Sequence, residues 1–302
     1  MQHIIHINSL SQANKMFGVP PPKHPLVAVI WAKDFPHIDE IKDLKFTTDL
    51  YLISFKDGIT GSIAYGRNTY DFNEGTMVFT KPQQAMSFEN KNIEDDTNGW
   101  VLAFHPDLLR KAPLGTAIHN YNFFDYEVHE ALHLSDEEKR TLIDLAKKIE
   151  AEINQNIDKH SQKLIIATIE LMLDYCHRYY DRQFYVRTNL HLDHVSDFEN
   201  LLKNYFQSEA PSTNGLPSVK YCGEQLNMSP NYLSDVLKKE TGMSAKDHIY
   251  NFVVDLAKNK LLGSRLSVSE IAYDLGFEYP QHFSKLFKKQ TGHSPLKYRQ
   301  LN

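Results

Sequence analysis

Short apolar runs separated by turn residues dominate the first third of the sequence. The runs occupy residues 26–30, 50–55, 62–66, 76–80 and 100–104. Turn chemistry such as Asp57-Gly58 and Lys81-Pro82 lies between them, and the runs have the length of strands rather than helices. The pattern predicts a small strand-rich domain, a β-sandwich or β-barrel, over residues 1–134.

The pattern then changes to helical spacing. Ser135 and Glu138 form a capping-box signature ahead of an amphipathic helix. The segment 161–180 is apolar nearly all round, so it must be covered on more than one side, either by the β domain or by a second subunit. A shorter amphipathic helix follows. We therefore expect a helical dimerisation segment over residues 135–206.

Residues 207–217 become polar and contain Pro211, Gly215 and Pro217. Proline and glycine interrupt regular structure, and polar stretches of this kind join domains. The expected linker is therefore 207–217, and a separate C-terminal domain occupies 218–302. The resulting fold class is α+β, with a strand-rich N-terminal domain and an all-α C-terminal domain.

The C-terminal domain repeats itself at an offset of 50 residues. The segment from Ser234 to Ser244, with Leu237-Lys238-Lys239 and Thr241-Gly242 inside it, matches the segment from Ser284 to Ser294. Helix start and stop signals place two helices about a tight turn in each copy, which is the helix-turn-helix arrangement. Small residues, Gly223 and Ala272, occur where the two helices of each copy must cross.

A long helix is expected between the two copies. Ser244 caps its start, Gly263 ends it, and apolar residues recur along one face. This helix would fix the spacing of the two helix-turn-helix units.

The second copy, from Ile271-Ala272 through Leu275-Gly276-Phe277 and Thr291-Gly292 to Tyr298-Arg299, resembles the AraC/XylS signature across its length. The resemblance covers roughly residues 217–300. It implies a DNA-binding transcription regulator, more often an activator than a repressor. It also implies a cupin-like N-terminal domain that binds a small-molecule effector, dimerising helices that make a homodimer, and RNA polymerase as a further partner.

In a helix-turn-helix, outward residues of the second helix reach base edges in the major groove. The expected base contacts are Asn231, Ser234, Asp235, Lys238, Gln281, His282 and Lys285. The expected phosphate contacts, which set register without reading sequence, are Lys239, Lys288, Lys289 and Arg299. The family geometry places the two readers on major-groove segments about 34 Å apart.

Two departures from the family pattern bear on this reading. Asp235 stands where relatives often have arginine, so the first unit is expected either to read bases weakly or to read a different base. The second recognition helix is preceded by Glu278-Tyr279 and so has no Ser or Thr cap before Pro280.

Charge is divided unevenly along the 302 residues, whose net charge is −5. Residues 217–302 carry 12 Lys and Arg against 8 Asp and Glu, leaving 21 against 30 for the rest, so a basic end follows an acidic body. Cys176 and Cys222 are expected to be buried free thiols in a protein of a reducing compartment. With no leader and no membrane-length apolar run, a cytoplasmic location is expected, without contact with a membrane.

Other functions find less support in the sequence. His129 and His133 have the spacing of a zinc pair on a helix, but they lack the H-E-x-x-H pattern, and neither a metal nor another cofactor is expected. The aromatic residues of the strand region line an effector pocket or, more often, simply form core. An enzyme with a DNA-binding tail, and a ligand-independent regulator controlled by abundance or by a protein partner, are the alternatives.

Overall fold

The computed structural model describes residues 4–34, 45–57, 62–65, 68–71, 75–89, 99–155, 158–186 and 188–301. The chain divides into two compact units, Met1–Tyr185 and Val186–Asn302. The first unit combines strands and helices and the second contains helices, so the expected α+β composition is confirmed.

Ten described strands of the first unit form two five-stranded sheets. The sheet orders are β1-β3-β8-β5-β6 and β10-β7-β4-β9-β2. All strand pairs are antiparallel except β1 with β3. The strands are β1 (Ile5–Ile7), β2 (Val27–Trp31), β3 (Lys45–Thr48), β4 (Tyr51–Lys56), β5 (Ser62–Tyr65), β6 (Asn68–Asp71), β7 (Thr76–Thr80), β8 (Met86–Glu89), β9 (Trp100–Phe104) and β10 (Leu132–His133).

The two faces of the second sheet differ in chemistry because side chains alternate along each strand. One face carries large aromatic residues: Tyr51 stacks on Phe104 with ring centroids 5.2 Å apart, and Phe79 lies 4.4 Å from Phe123. These rings belong to the packed core. Of the two alternatives for the aromatic residues, effector pocket or core, burial supports core for Tyr51, Phe55 and Phe79.

The opposite face carries small and polar side chains and joins a cluster with Phe46 and Met86 of the first sheet. Ser54, Thr76 and Thr80 are buried on this face together with Lys56, which is 8% exposed. Burial lowers the pKa of the Lys56 ammonium to about 7, because an apolar environment disfavours its charged form. The space between the sheets is therefore lined partly by polar groups.

Helices complete the first unit: α1 (Leu10–Met16), α2 (Leu114–Ala117), α3 (Asp136–Asn154) and α4 (Ser161–Val186). The predicted capping box at the start of α3 is confirmed. Arg182 of α4 bonds Glu138 of α3 at 2.8 Å and the carbonyl of His133 at 2.7 Å. His129 lies in a short 3₁₀ turn and His133 in β10, so the two histidines do not form the supposed helical pair.

One face of α4 stays open to solvent. Leu164 is 52% exposed and Leu171 is 46% exposed, seven residues apart and therefore on the same side of the helix. Another face of α4 is covered, with Ile169, Met172 and Leu173 fully buried. No helix among the described residues is both long and apolar enough to cross a membrane.

The second unit consists of eight described helices. They are α5 (Thr188–Gln207), α6 (Ala210–Asn214), α7 (Val219–Leu226), α8 (Pro230–Thr241), α9 (Ala245–Gly263), α10 (Val268–Asp274), α11 (Pro280–Thr291) and α12 (Pro295–Leu301). The predicted pairs of helices appear as α7 with α8 and α10 with α11, and the long connecting helix is α9.

The division between the units differs from the domain limits expected from sequence. It falls between Tyr185 and Val186, so α3 and α4 stay with the strands while α5 joins the C-terminal helices. Phe198 and Leu202 of α5 are buried in the core of the second unit. Residues 207–217 are not an extended linker, because they include α6 and Pro211 is buried.

Candidate nucleic-acid interface

The first helix of each helix-turn-helix unit starts and ends on local side-chain chemistry. The Ser218 hydroxyl accepts a bond from the Tyr221 amide at 3.0 Å, and Ser267 forms a capping box with Glu270. Donation from the Ser267 amide and hydroxyl lowers the pKa of the Glu270 carboxyl. Asn227 and Gly276, both with positive φ, then turn the chain.

Close approach at the turn explains the small residues predicted there. A Cβ on Gly223 would lie 2.5 Å from the Met228 carbonyl oxygen. The Met228 amide donates to the Gly223 carbonyl at 2.8 Å, and the Phe277 amide donates in the same way to Ala272 at 2.9 Å. The two turns are built alike, although the second is one residue longer before its recognition helix.

The repeated Thr-Gly pair ends both recognition helices, α8 and α11. The Thr241 hydroxyl donates to the Leu237 carbonyl at 2.7 Å and accepts from the Met243 amide at 3.3 Å. Thr291 makes the equivalent bonds to Phe287 and His293. Gly242 and Gly292 take positive φ at the helix ends. The densest part of the repeat is therefore structural, because it stops a helix and starts the next one.

The two helix-turn-helix units share one hydrophobic core, to which the central helix α9 contributes along its length. Ile249 near its start, Val253 and Ala257 in its middle, and Leu261 near its end are all buried in that core. Leu233 and Leu237 of α8, and Phe283 and Phe287 of α11, belong to the same cluster. The helix-turn-helix units are consequently held in one packed body.

The predicted base-contacting residues differ in exposure between the two units. Gln281, His282 and Lys285 are exposed on α11, opposite the buried Phe283 and Phe287. On α8, Lys238 is exposed, whereas Asn231, Ser234 and Asp235 are half-buried. Tyr232, absent from the sequence prediction, is buried. The second helix-turn-helix unit therefore presents the more exposed DNA-reading face.

Three exposed lysines lie near the C-terminal ends of the two recognition helices. Lys239, Lys288 and Lys289 are exposed in the last turn of α8 or α11. Among the described residues Lys285, Lys288 and Lys289 have no carboxylate within ion-pair distance. Their charges are thus directed to solvent, as a polyanion would require.

Arg299 makes contacts within the C-terminal domain that the sequence did not predict. Its guanidinium donates to the carbonyl oxygen of Leu261 at 2.9 Å and to that of Leu266 at 2.7 Å. It thereby satisfies backbone acceptors at the end of α9 and in the following loop, which the helix itself leaves open. These bonds join α12 to α9, and a contact of Arg299 with phosphate stays a prediction.

Replacing Arg299 with alanine tests these two roles. We expect a loss of about 1–3 kcal/mol in the free energy of unfolding, because two charge-assisted bonds disappear. The salt dependence of DNA binding should stay as in the wild type. A decrease of about one in the slope of log affinity against log salt concentration would instead restore the phosphate role.

A family model described as a helix-turn-helix domain matches residues 222–301. Among curated relatives, the HTH-type transcriptional activator RhaR of Escherichia coli is 34% identical over 83 residues, covering 28% of this chain and 29% of RhaR. The uncharacterized HTH-type transcriptional regulator YtdP of Bacillus subtilis is 27% identical, covering 70% of this chain and 30% of YtdP. The chain thus spans about a third or less of the length of these relatives.

Solved structures give similar matches. The C-terminal domain of AraT, a response regulator from Geobacillus stearothermophilus, is 30% identical with a TM-score of 0.32 and covers 36% of this chain and 85% of that one. ToxT from Vibrio cholerae is 14% identical with a TM-score of 0.30 and covers 90% and 97%. The family model and the named curated relatives together identify the C-terminal part of the chain as an AraC-type helix-turn-helix domain.

Proposed function

We propose that this protein regulates transcription by reading two adjacent major-groove segments with α8 and α11. The observation that carries the proposal is the pair of helix-turn-helix units on one shared core, with exposed polar and basic side chains on the reading helices. Asn231, Ser234, Asp235 and Lys238 read bases in the first unit, and Gln281, His282 and Lys285 in the second; Lys239, Lys288 and Lys289 contact phosphates.

Selection from a random duplex pool tests the proposal. The full chain is incubated with the pool at moderate salt, and retained duplexes are amplified and sequenced. We expect a bipartite motif, because two rigidly joined readers select two short segments. If the retained duplexes share no motif, the protein binds DNA without sequence specificity and the proposal is wrong.

We infer that the protein acts as a homodimer through α4. Leu164, Ala167 and Leu171 are exposed at spacings of three and four residues, which makes an apolar stripe along one helix face. A second copy of α4 would cover this stripe.

Charge introduced on the stripe tests the dimer. Leu164→Glu with Leu171→Glu should shift the full chain from dimer to monomer in sedimentation at micromolar concentration. Leu262→Glu is the matched control, since Leu262 is equally exposed, at 50%, but lies on α9. A monomeric wild-type protein at this concentration would reject the proposal.

A small-molecule effector would bind between the two sheets of the cupin-like N-terminal unit. Buried polar groups line that space, and the Thr80 hydroxyl oxygen has no hydrogen-bond partner among the described residues. Such a group is costly unless a ligand or water satisfies it. Control by abundance or by a protein partner is the competing form of regulation.

Thermal shift against a metabolite panel separates these forms, because a ligand of the native state must raise the melting temperature. Thr80→Val, of nearly the same shape, should abolish the shift caused by any compound that binds between the sheets. A shift that persists in this variant would show that the effector binds at another site. If no compound causes a shift, regulation independent of a ligand is favoured.

The remaining parts of the proposal come from the family. The name of RhaR favours activation over repression, and an activator contacts RNA polymerase at the promoter. We propose accordingly that the protein works in the cytoplasm as a DNA-binding regulator and not as an enzyme.

A further inference from the structure

Tyr279 occupies the position immediately before the second recognition helix but does not cap it. Its backbone is extended, with φ −127° and ψ 121°, and no side-chain cap bond is made there. In the first unit the same position is Ser229, whose hydroxyl accepts from the Tyr232 amide at 3.2 Å. Serine is among the best residues for this position and tyrosine is not. Tyr279 therefore contributes little to the start of its own helix.

The ring of Tyr279 is also not part of the core. It is 46% exposed, whereas Phe277, two residues earlier, is buried. Such exposure of a large aromatic ring leaves apolar area in contact with water that a partner could cover.

The ring lies on the reading face of α11. The centroids of the Tyr279 and His282 rings are 5.4 Å apart at an interplanar angle of 67°, an edge-to-face contact. His282 is exposed on the same helix face as Lys285. The contact between the rings extends this face by one aromatic side chain toward the start of the helix.

The chemistry around the ring disfavours a phosphate as its partner. The Glu278 carboxylate beside the Tyr279 hydroxyl raises the pKa of the tyrosine. A carboxylate beside the hydroxyl repels a phosphate group. The ring itself presents apolar carbon, and the apolar group exposed on base edges in the major groove is the thymine methyl.

We propose that Tyr279 is a specificity-determining residue of the second helix-turn-helix unit, and that its ring, supported by His282, contacts the methyl group of a thymine. This inference rests on the DNA-reading function proposed above. It adds a residue that an N-cap position would not normally contribute, and it assigns a base preference to that residue.

Removal of single methyl groups from DNA tests the contact. The probe is the duplex selected by the full chain, with each thymine replaced in turn by deoxyuridine, which keeps base pairing and loses only the methyl. The wild type should lose about fourfold in affinity at one or two positions of one half-site, the factor expected for one buried methyl group. Tyr279→Ser should lose this sensitivity at one of these positions and keep it elsewhere.

The variants separate contact from folding. Tyr279→Ser restores the residue type of Ser229, so its melting temperature should equal or exceed that of the wild type. Tyr279→Phe keeps the ring and should keep the methyl sensitivity. Tyr273→Ser is the matched control, because Tyr273 is 55% exposed but lies on α10.

Three results would overturn the inference: wild-type binding that is indifferent to every methyl, unchanged methyl sensitivity in Tyr279→Ser, or an equal loss in Tyr273→Ser. If a bipartite motif is selected but one of these results follows, the assignment of Tyr279 fails while the proposed function stands. Absence of any selected motif overturns both.

Discussion

Gly276→Ala is expected to destabilise the C-terminal unit by about 3 kcal/mol. Gly276 has φ +90°, where an alanine costs roughly 1–2 kcal/mol. Its Cβ would also lie 2.8 Å from the Gly215 carbonyl carbon and 3.0 Å from the Pro211 oxygen. Because these are backbone atoms, the chain leading from α6 must move, which adds about 1–3 kcal/mol.

Gly292→Ala is the matched control. Gly292 has φ +78°, but nothing lies within 4 Å of its Cβ position, so only the backbone cost of about 1–2 kcal/mol applies. The difference between the two variants measures the contact of the second helix-turn-helix turn with residues 211–215. Equal destabilisation would show that this contact contributes nothing.

The two buried cysteines report on the two units separately. Cys222 lies in the core of the second unit and Cys176 in the first, and burial raises the pKa of the Cys222 thiol to about 11 and that of Cys176 further upward. Both thiols are protected until their unit unfolds. In Gly276→Ala, labelling of Cys222 should therefore begin at a lower urea concentration than in the wild type. Labelling of Cys176 should begin at the same urea concentration in both.

Lys285→Ala is expected to lower affinity for the selected duplex by about tenfold to a hundredfold, corresponding to about 1–3 kcal/mol for a lost base contact. Lys285 is exposed on the reading face of α11, one turn after Gln281 and His282. The variant should also relax selection at one or two base positions, as measured by repeating the selection.

Lys289→Ala removes the same charge from the last turn of the same helix. It should weaken binding to all duplexes alike and reduce the salt slope by about one, without changing the selected motif. If Lys285→Ala behaves in this way too, Lys285 is a phosphate contact and the proposed division between readers and anchors is wrong.

The C-terminal helices were predictable because their ends depend on neighbouring residues in the chain. Ser218, Ser229 and Ser267 bond amides three residues ahead, and Gly276 and Gly292 supply positive φ, so each signal acts over one turn. Periodicity likewise identified the buried side of α8 and α11. A helix limit encoded within four residues can be read without knowing the rest of the fold.

Features that depend on distant residues were missed. The apolar face of α5 was evident, but spacing does not reveal that Phe198 and Leu202 pack with the C-terminal helices. Arg299 reaches carbonyls 33 and 38 residues earlier, a destination that only tertiary structure determines. The sequence also did not establish the strand order or which sheet face the aromatic residues occupy.

The shared core around α9 has a consequence for the promoter. Because α8 and α11 pack on one core, the described C-terminal helices provide no hinge between the two reading helices with which to follow changes in the target. Each base pair inserted between the two half-sites rotates the second about the duplex axis by about 35° and moves it by about 3.4 Å. Promoter evolution is then constrained by helical phase and by distance: a single-base insertion is more damaging than a substitution, and insertion of a whole turn restores the phase but not the distance.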